Sequence, residues 1–157
     1  MLCFLAEADR LKTPGIFIES FKQVCKDQEN KTVSPAVVGI REALDQGTSF
    51  SSNLTAHDMV SALFVFFLEL PSPLIPESVA QTCEMSDLSA VMAMSLVKEA
   101  MSAIEWGVFD STLEVVRSAL MEENTKKNRI TEEELAPVLS AIFFQDISCS
   151  TQNKSKP

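Results

Sequence analysis

The chain has 157 residues, a length at which one domain typically buries ~70% of its unfolded surface and needs no disulfide or metal staple. Twenty-two acidic against thirteen basic residues give a net charge of −9, which argues against a surface devoted to neutralising phosphates on nucleic acid or anionic lipid. With four glycines and no tyrosine, the composition disfavours Gly-punctuated β-barrels and phosphate-cradling loops and points to an all-α fold.

Met1–Leu11 sets Leu2, Leu5, Ala6, Ala8 and Leu11 against Glu7, Asp9 and Arg10, which reads as the tail of an amphipathic helix whose start is truncated. Thr13-Pro14-Gly15 is a turn signal, and the polar stretch from Lys22 to Thr32 reads as a loop or insertion. Ser34-Pro35 supplies a capping oxygen and a proline at the first helical position, so a helix is predicted to Leu44 or Asp45, stopped by Gly47. Val37, Val38, Ile40, Ala43 and Leu44 are its expected inner face. Thr55–Asp58 then caps the most apolar helix, in which Met59, Val60 and Ala62 to Leu68 cover every face with apolar side chains, as in a fully surrounded central helix. Pro71, Pro73 and Pro76 end it.

A short helix is predicted from Pro76 to Cys83, and a longer one from a Ser86-Asp87 cap to about Ile104. The apolar face of the latter includes Val91, Met92, Met94 and Val97 and is expected to pack into the core rather than form an adaptable methionine-lined groove. Asp110–Met121 makes the next helix, and Glu122–Arg129 a charged turn. Thr131 and Glu134 form a capping box ahead of Leu135, Val138, Leu139, Ile142 and Phe143, with Pro137 expected to kink that helix. Ser148–Pro157 is a polar tail. The sum is a domain over residues 1–147 built as a bundle of about seven helices around Ala62–Leu68.

Little in this pattern points to catalysis. Cys3, Cys25, Cys83 and Cys149 show no Cys-x-x-Cys pair, and His57 is the single histidine, so neither a zinc site nor any other metal or cofactor is expected. A Cys25/His57 nucleophile pair has no local support. Glu122-Glu123 and Glu132–Glu134 lack the alternating carboxylates and glycine of a hard-cation loop, and read as solvated helix ends. The opening run meets Glu7 too soon for a signal-peptide core, and Ala62–Leu68 is far shorter than a membrane span. The expected setting is cytoplasmic and reducing, where the Asn-x-Ser/Thr sites at Asn30, Asn53 and Asn153 are chance matches.

The most informative stretch is Phe66-Phe67-Leu68-Glu69-Leu70-Pro71-Ser72-Pro73-Leu74-Ile75-Pro76, which resembles the Leu-Pro-x-Pro-Leu signature of RhoGAP domains, all-α modules that bind Rho-family GTPases. Leu11–Ser20 is similar to the family's Leu-Lys-Thr-Glu-Gly-Ile-Phe-Arg-x-Ser. Gly39–Gly47 resembles its following helix end, and Lys127–Ala136 resembles Lys-Asn-Arg-Met-Thr-x-x-Asn-Leu-Ala. The resemblance runs from about Leu11 to Phe144 and implies a RhoGAP-like helical bundle. Leu63–Pro73 and Leu44-Asp45-Gln46-Gly47 are similar to the catalytically degenerate RhoGAP-like domain of oculocerebrorenal-syndrome-type inositol polyphosphate 5-phosphatases. That likeness implies binding to small GTPases or to short helical peptides of endocytic adaptors, with recruitment to endomembranes through those partners. A 5-phosphatase identity would require the chain to be a fragment.

Catalysis in the family depends on an arginine finger, worth roughly 10³–10⁵ in rate, or about 4–7 kcal/mol of barrier. The position after Phe17 is Ile18, the family's helix cations align with Phe64 and Leu68, and its later asparagine aligns with Glu134. The resemblance therefore implies a GAP-inactive module with no catalytic residue, in which Ile18, Phe64, Leu68 and Glu134 are candidate partner-binding positions. Two rivals stand beside it. One is an active GTPase activator using a relocated cation from Lys12, Lys22 or Arg41, although lysine lacks the planar two-pronged donor. The other is an unrelated helical adaptor, for which burial of Phe66, Phe67 and Leu70 beside the Pro71 corner is the excluding observation.

Overall fold

In the computed structural model, which describes residues 1–5 and 9–146, the chain forms nine α-helices: α1 (Leu2–Leu5), α2 (Ile16–Glu29), α3 (Pro35–Gln46), α4 (Ala56–Leu68), α5 (Glu77–Met85), α6 (Ala90–Ala100), α7 (Ala103–Ala119), α8 (Glu122–Asn128) and α9 (Glu132–Phe143). A 3₁₀ turn at Arg10–Lys12 precedes α2, and no strand occurs among the described residues. The all-α expectation is met, with two helices more than the seven predicted. The polar tail Ser148–Pro157, with Cys149, lies outside the described residues, as do Ala6 and Ala8 of the first predicted helix.

The first additional helix is α2, where a loop was expected. Its polar residues are those of a solvated face, while Ile16, Phe17, Ser20, Phe21 and Val24 are buried along the other, at the spacing of a helical stripe. Gly15 begins the helix at φ 62°, and a Cβ there would sit 2.9 Å from Glu19 Cγ, so both backbone and space call for glycine. The second is α8, expected as a charged turn. Glu122 and Glu123 occupy its first turn and Lys126 and Lys127 its last, which complements the helix dipole at both ends. Asn124 and Asn128 turn inward, and the chain leaves the helix through Arg129 at φ 59°.

α4 is the centre of the bundle, contacted by α1, α2, α3 and α9. A reciprocal capping box of Thr55 and Asp58 starts it. Phe64 packs on Phe17 and Phe21 with ring centroids 6.4 and 5.9 Å away, and Phe67 meets Phe143 at 5.4 Å. The expectation of burial on every face fails at one place, since Phe66 is 44% exposed. α3 corrects its predicted inner face in the same way: Val37 and Ile40 are buried, but Val38 and Leu44 are exposed. Ser34 makes no side-chain cap, whereas Gly47 closes the helix at φ 63° as expected.

The single long helix predicted from Ser86 to Ile104 is two elements. Ser89 rather than Ser86 caps α6, accepting from the Met92 amide at 3.4 Å. Extended backbone at Met101 then breaks the chain before Ser102 and Glu105 form a capping box for α7, which starts well ahead of the predicted Asp110. Core packing of the α6 methionines is also overturned: Val97 is buried, while Val91, Met92 and Met94 are exposed. α9 begins at the predicted Thr131–Glu134 box and continues through Pro137, which faces solvent, to Phe143. Among the described residues, every buried side-chain nitrogen and oxygen has a hydrogen-bond partner, and no helix is long and apolar enough to cross a membrane.

Candidate partner-binding site

The four positions aligned with polar residues of the resembled family present no cation. Ile18 is half-buried in the first turn of α2, packed against the core. Phe64 is 1% exposed and spends its ring on Phe17 and Phe21, so its candidacy as a partner contact is corrected: it is a core residue. Leu68, the last residue of α4, is half-buried. Glu134 is exposed, and its carboxylate accepts from the Thr131 amide at 3.4 Å as part of the α9 cap. The three helices that carry these residues, α2, α4 and α9, touch one another.

Each alternative cation is engaged by a carboxylate of its own chain. Lys12 pairs with Asp9 at 2.5 Å, Lys22 with Glu19 at 2.8 Å and Arg41 with Glu69 at 2.5 Å. The Lys12 hydrogen bond holds the Asp9 carboxyl below the usual carboxylate range, and the same bond raises the Lys12 ammonium. Such exposed pairs are weak individually. Their consequence is positional, because Arg41 is drawn to the end of α4 rather than toward α2.

Segments that are far apart in sequence are joined by specific bonds. Asn128 Nδ2 donates to the Leu11 and Ala119 carbonyls at 2.8 and 2.9 Å, its Oδ1 accepts from the Ile130 amide, and its carbonyl accepts from the Gly15 amide at 3.0 Å. At the proline corner, the Ile75 amide donates to the Phe143 carbonyl, and Gln145 Nε2 donates to the carbonyls of Phe67 and Leu70 at 2.9 Å each. The Leu11–Gly15, Lys127–Ile130 and Phe67–Ile75 stretches, singled out from sequence, are thus fixed by buried or half-buried polar contacts.

The feature missed from sequence is an apolar groove. Three cavities of about 230, 620 and 320 Å³ share Phe66 as a lining residue. In the first, Val37, Ile40 and Leu44 of α3 face Ala62, Phe66 and Leu70 across the α3–α4 seam. Val37, Ile40 and Leu44 recur at i, i+3 and i+7 along α3, and Ala62 and Phe66 at i and i+4 along α4, with Leu70 just past the end of that helix. The second opens toward Met1, Leu2 and Val108, and the third toward Ile104, which is 81% exposed. Phe66 is set by an edge contact on the buried Phe67 at 5.5 Å. Charges stay at the margin: the Arg41–Glu69 pair, Glu114 paired with Arg117, and Glu105, whose carboxyl is held low by the Ser102 hydroxyl and amide. Exposed aromatic and aliphatic side chains around a concavity, rimmed by polar groups, are the surface chemistry of a partner interface.

Among the described residues, nothing comparable is assembled for covalent chemistry or metals. The hydroxyl of buried Ser20 donates to the Ile16 carbonyl at 2.6 Å and lies 3.1 Å from His57 Nδ1, which gives the histidine a structural partner and leaves the serine closed to substrate. Among the described residues no cluster of three or more His, Cys, Asp or Glu can hold a metal ion. No family model matches this chain, and no curated protein and no solved structure matches it.

Proposed function

We propose that this chain is a RhoGAP-like domain of small-GTPase signalling that lacks GTPase-activating chemistry and serves as a cytoplasmic binding module, recruited to endomembranes by its partners. Its partners on this reading are Rho-family GTPases or endocytic adaptors, and the groove favours a short amphipathic helix of an adaptor. The observation that carries the reading is Phe66: a large aromatic exposed at the meeting point of three cavities, between two apolar helical stripes. Helices dock in such grooves through anchors at i, i+3 or i+4 and i+7, and a central aromatic is the usual energetic anchor. Loss of catalysis is supported by Ile18, Phe64 and Leu68 standing where the family carries charge.

Single-turnover GTP hydrolysis by Rho-family GTPases, measured with this chain in excess, tests the loss of catalysis. No acceleration is expected, and acceleration of about a hundredfold or more overturns the reading, since that approaches what an arginine finger supplies. The relocated-cation rival requires that replacing Lys12, Lys22 or Arg41 abolish such acceleration. Capture on GTPases loaded with either nucleotide separates the partners: preference for the GTP form marks an effector-like role, and its absence marks the adaptor role.

One observation favours the unrelated-adaptor reading. Phe67 is buried and Leu70 half-buried beside the Pro71 corner, but Phe66 is not, so the excluding condition set from sequence is unmet. Under that reading the groove binds a helix and the chain has no affinity for any Rho-family GTPase in either nucleotide state.

A further inference from the structure

The hairpin of α5 and α6 takes little part in the core. The two helices pack against each other, and among the described residues α5 buries no side chain and α6 only Val97. Yet eight of the eleven residues of α6 are Ala, Val, Met or Leu. Met85 at the end of α5 is 89% exposed, and Val91 and Met92 in α6 are 76% and 56% exposed. At helical spacing Val91, Met92, Ser95 and Glu99 share the side of α6 turned away from Val97. Short helices draw their stability from packing an apolar face, and a bare apolar face rimmed by polar groups marks an interaction site. Methionine suits such a site, because its unbranched, polarisable side chain adapts to the surface laid on it.

The charges around this face define what covers it. Between Glu77 and Ala100 the sequence carries four acidic residues and one basic residue. That basic residue, Lys98, is already engaged, its ammonium lying 5.2 Å from the centre of the Trp106 ring on α7. Asp87, just before α6, and Glu99, in its last turn, are exposed, and among the described residues neither carboxylate is ion-paired. The bare Val91–Met92 face therefore lies between two free negative charges. A second copy of this chain would bring the same carboxylates to the contact, and an anionic lipid surface would be repelled.

We propose that the α5–α6 hairpin is a second docking surface, occupied by a basic amphipathic helix of a partner protein. Its apolar side chains cover Val91 and Met92, and lysines or arginines at the two ends of its apolar stripe meet Asp87 and Glu99. Helix on helix is the packing available to an apolar stripe of this length, since α6 is about 16 Å long. The inference rests on α6 and its flanking charges alone and is independent of what occupies the Phe66 groove.

The test uses the full chain with ¹³C-labelled methionine methyl groups and two designed helical peptides that share one leucine stripe. One peptide carries lysines at both ends of the stripe, the other glutamates at the same positions. The lysine peptide is expected to shift the methyl resonances of Met92 and Met94 and to bind at least about tenfold more tightly than its glutamate twin at low salt, because each end exchanges repulsion for attraction. Asp87→Asn combined with Glu99→Gln should remove that preference, as should about 0.5 M salt. Val91→Ser combined with Met92→Ser should weaken the lysine peptide about tenfold or more while leaving the thermal melt in place, since both side chains are exposed. Three results overturn the proposal: equal affinity for the two peptides, no shift at Met92 or Met94 with about 1 mM lysine peptide, or shifts at Met1, which lines the Phe66 groove, without shifts on α6. A dimer of the peptide-free chain that is broken by the Val91→Ser, Met92→Ser protein also overturns it, by assigning the face to a second copy.

Discussion

Asn128 Nδ2 donates a 2.8 Å hydrogen bond to the Leu11 carbonyl across a sequence separation of 117 residues. The same amide donates to Ala119 and accepts from Ile130, and its side chain is buried. Asn128→Ala removes three bonds and leaves two carbonyls and an amide without their partner. A loss of about 2–3 kcal/mol in urea unfolding is expected. Asn128→Asp should cost more, because an ionised carboxylate has no proton to give either carbonyl and would be buried. A loss below about 0.5 kcal/mol for both variants would mean that this clamp does not hold the 3₁₀ turn to α8.

Phe64 and Phe66 lie two residues apart on α4 and are expected to separate stability from binding. Phe64→Ala empties a site between Phe17 and Phe21 and should cost about 3–5 kcal/mol in unfolding free energy. Phe66→Ala should leave unfolding nearly unchanged while weakening a bound amphipathic helix by about 2 kcal/mol or more, the scale of an interface anchor. Titration calorimetry against adaptor-derived helical peptides, paired with thermal melts, checks both. Equal loss of stability in the two variants would place Phe66 in the core and end the groove argument.

Much of the fold was legible because local signals agreed with one another. Thr55, Thr131, Gly47 and the Pro71–Pro76 run sit where helices start and stop. The errors share a cause. In α2 the apolar stripe is thin, so polar residues dominated the reading, although a surface helix needs only one buried face. At α4 every residue from Ala62 to Leu68 is apolar, so periodicity carried no information about which one faces out. Phe66 became visible only once α3 and α7 were placed beside it. Of the candidate partner positions, Ile18 and Leu68 are half-buried and Glu134 is exposed, whereas Phe64 was chosen by alignment with a charged residue and is enclosed.

Gly15 is the hinge between the clamped turn and α2, and Gly15→Ala is expected to destabilise by about 1–2 kcal/mol. Two effects add. The residue stands at φ 62°, and a new Cβ would meet Glu19 Cγ at 2.9 Å. Glu19 is the far end of a flexible, exposed side chain, so Gly15→Ala combined with Glu19→Ala should recover the steric part and retain the backbone part. Full recovery in the double variant would show that the left-handed conformation itself costs little at this position; chemical denaturation of the three proteins decides it.

Helix-start hydrogen bonds contribute to the acid limb of the stability curve. Glu105 is held below the usual carboxylate range by the Ser102 hydroxyl and amide, and Glu133 by its own backbone amide and by Thr131. A carboxyl with a lowered pKa in the folded state binds fewer protons folded than unfolded. Its stabilisation is therefore present above the unfolded carboxylate pKa and is lost as pH falls through the lower folded value, from about pH 5 downward. Lys12 has the opposite sign: raised by Asp9, its contribution is present at neutral pH and lost only as pH rises beyond the ordinary lysine range. Ser102→Ala should lower stability at pH 7 by about 1 kcal/mol through the lost cap. It should also flatten the decline between about pH 5 and pH 3, because Glu105 then titrates more nearly alike in both states. Urea midpoints measured across that range for the two proteins check the sign. Parallel acid limbs would remove the Ser102–Glu105 box as a source of the pH dependence.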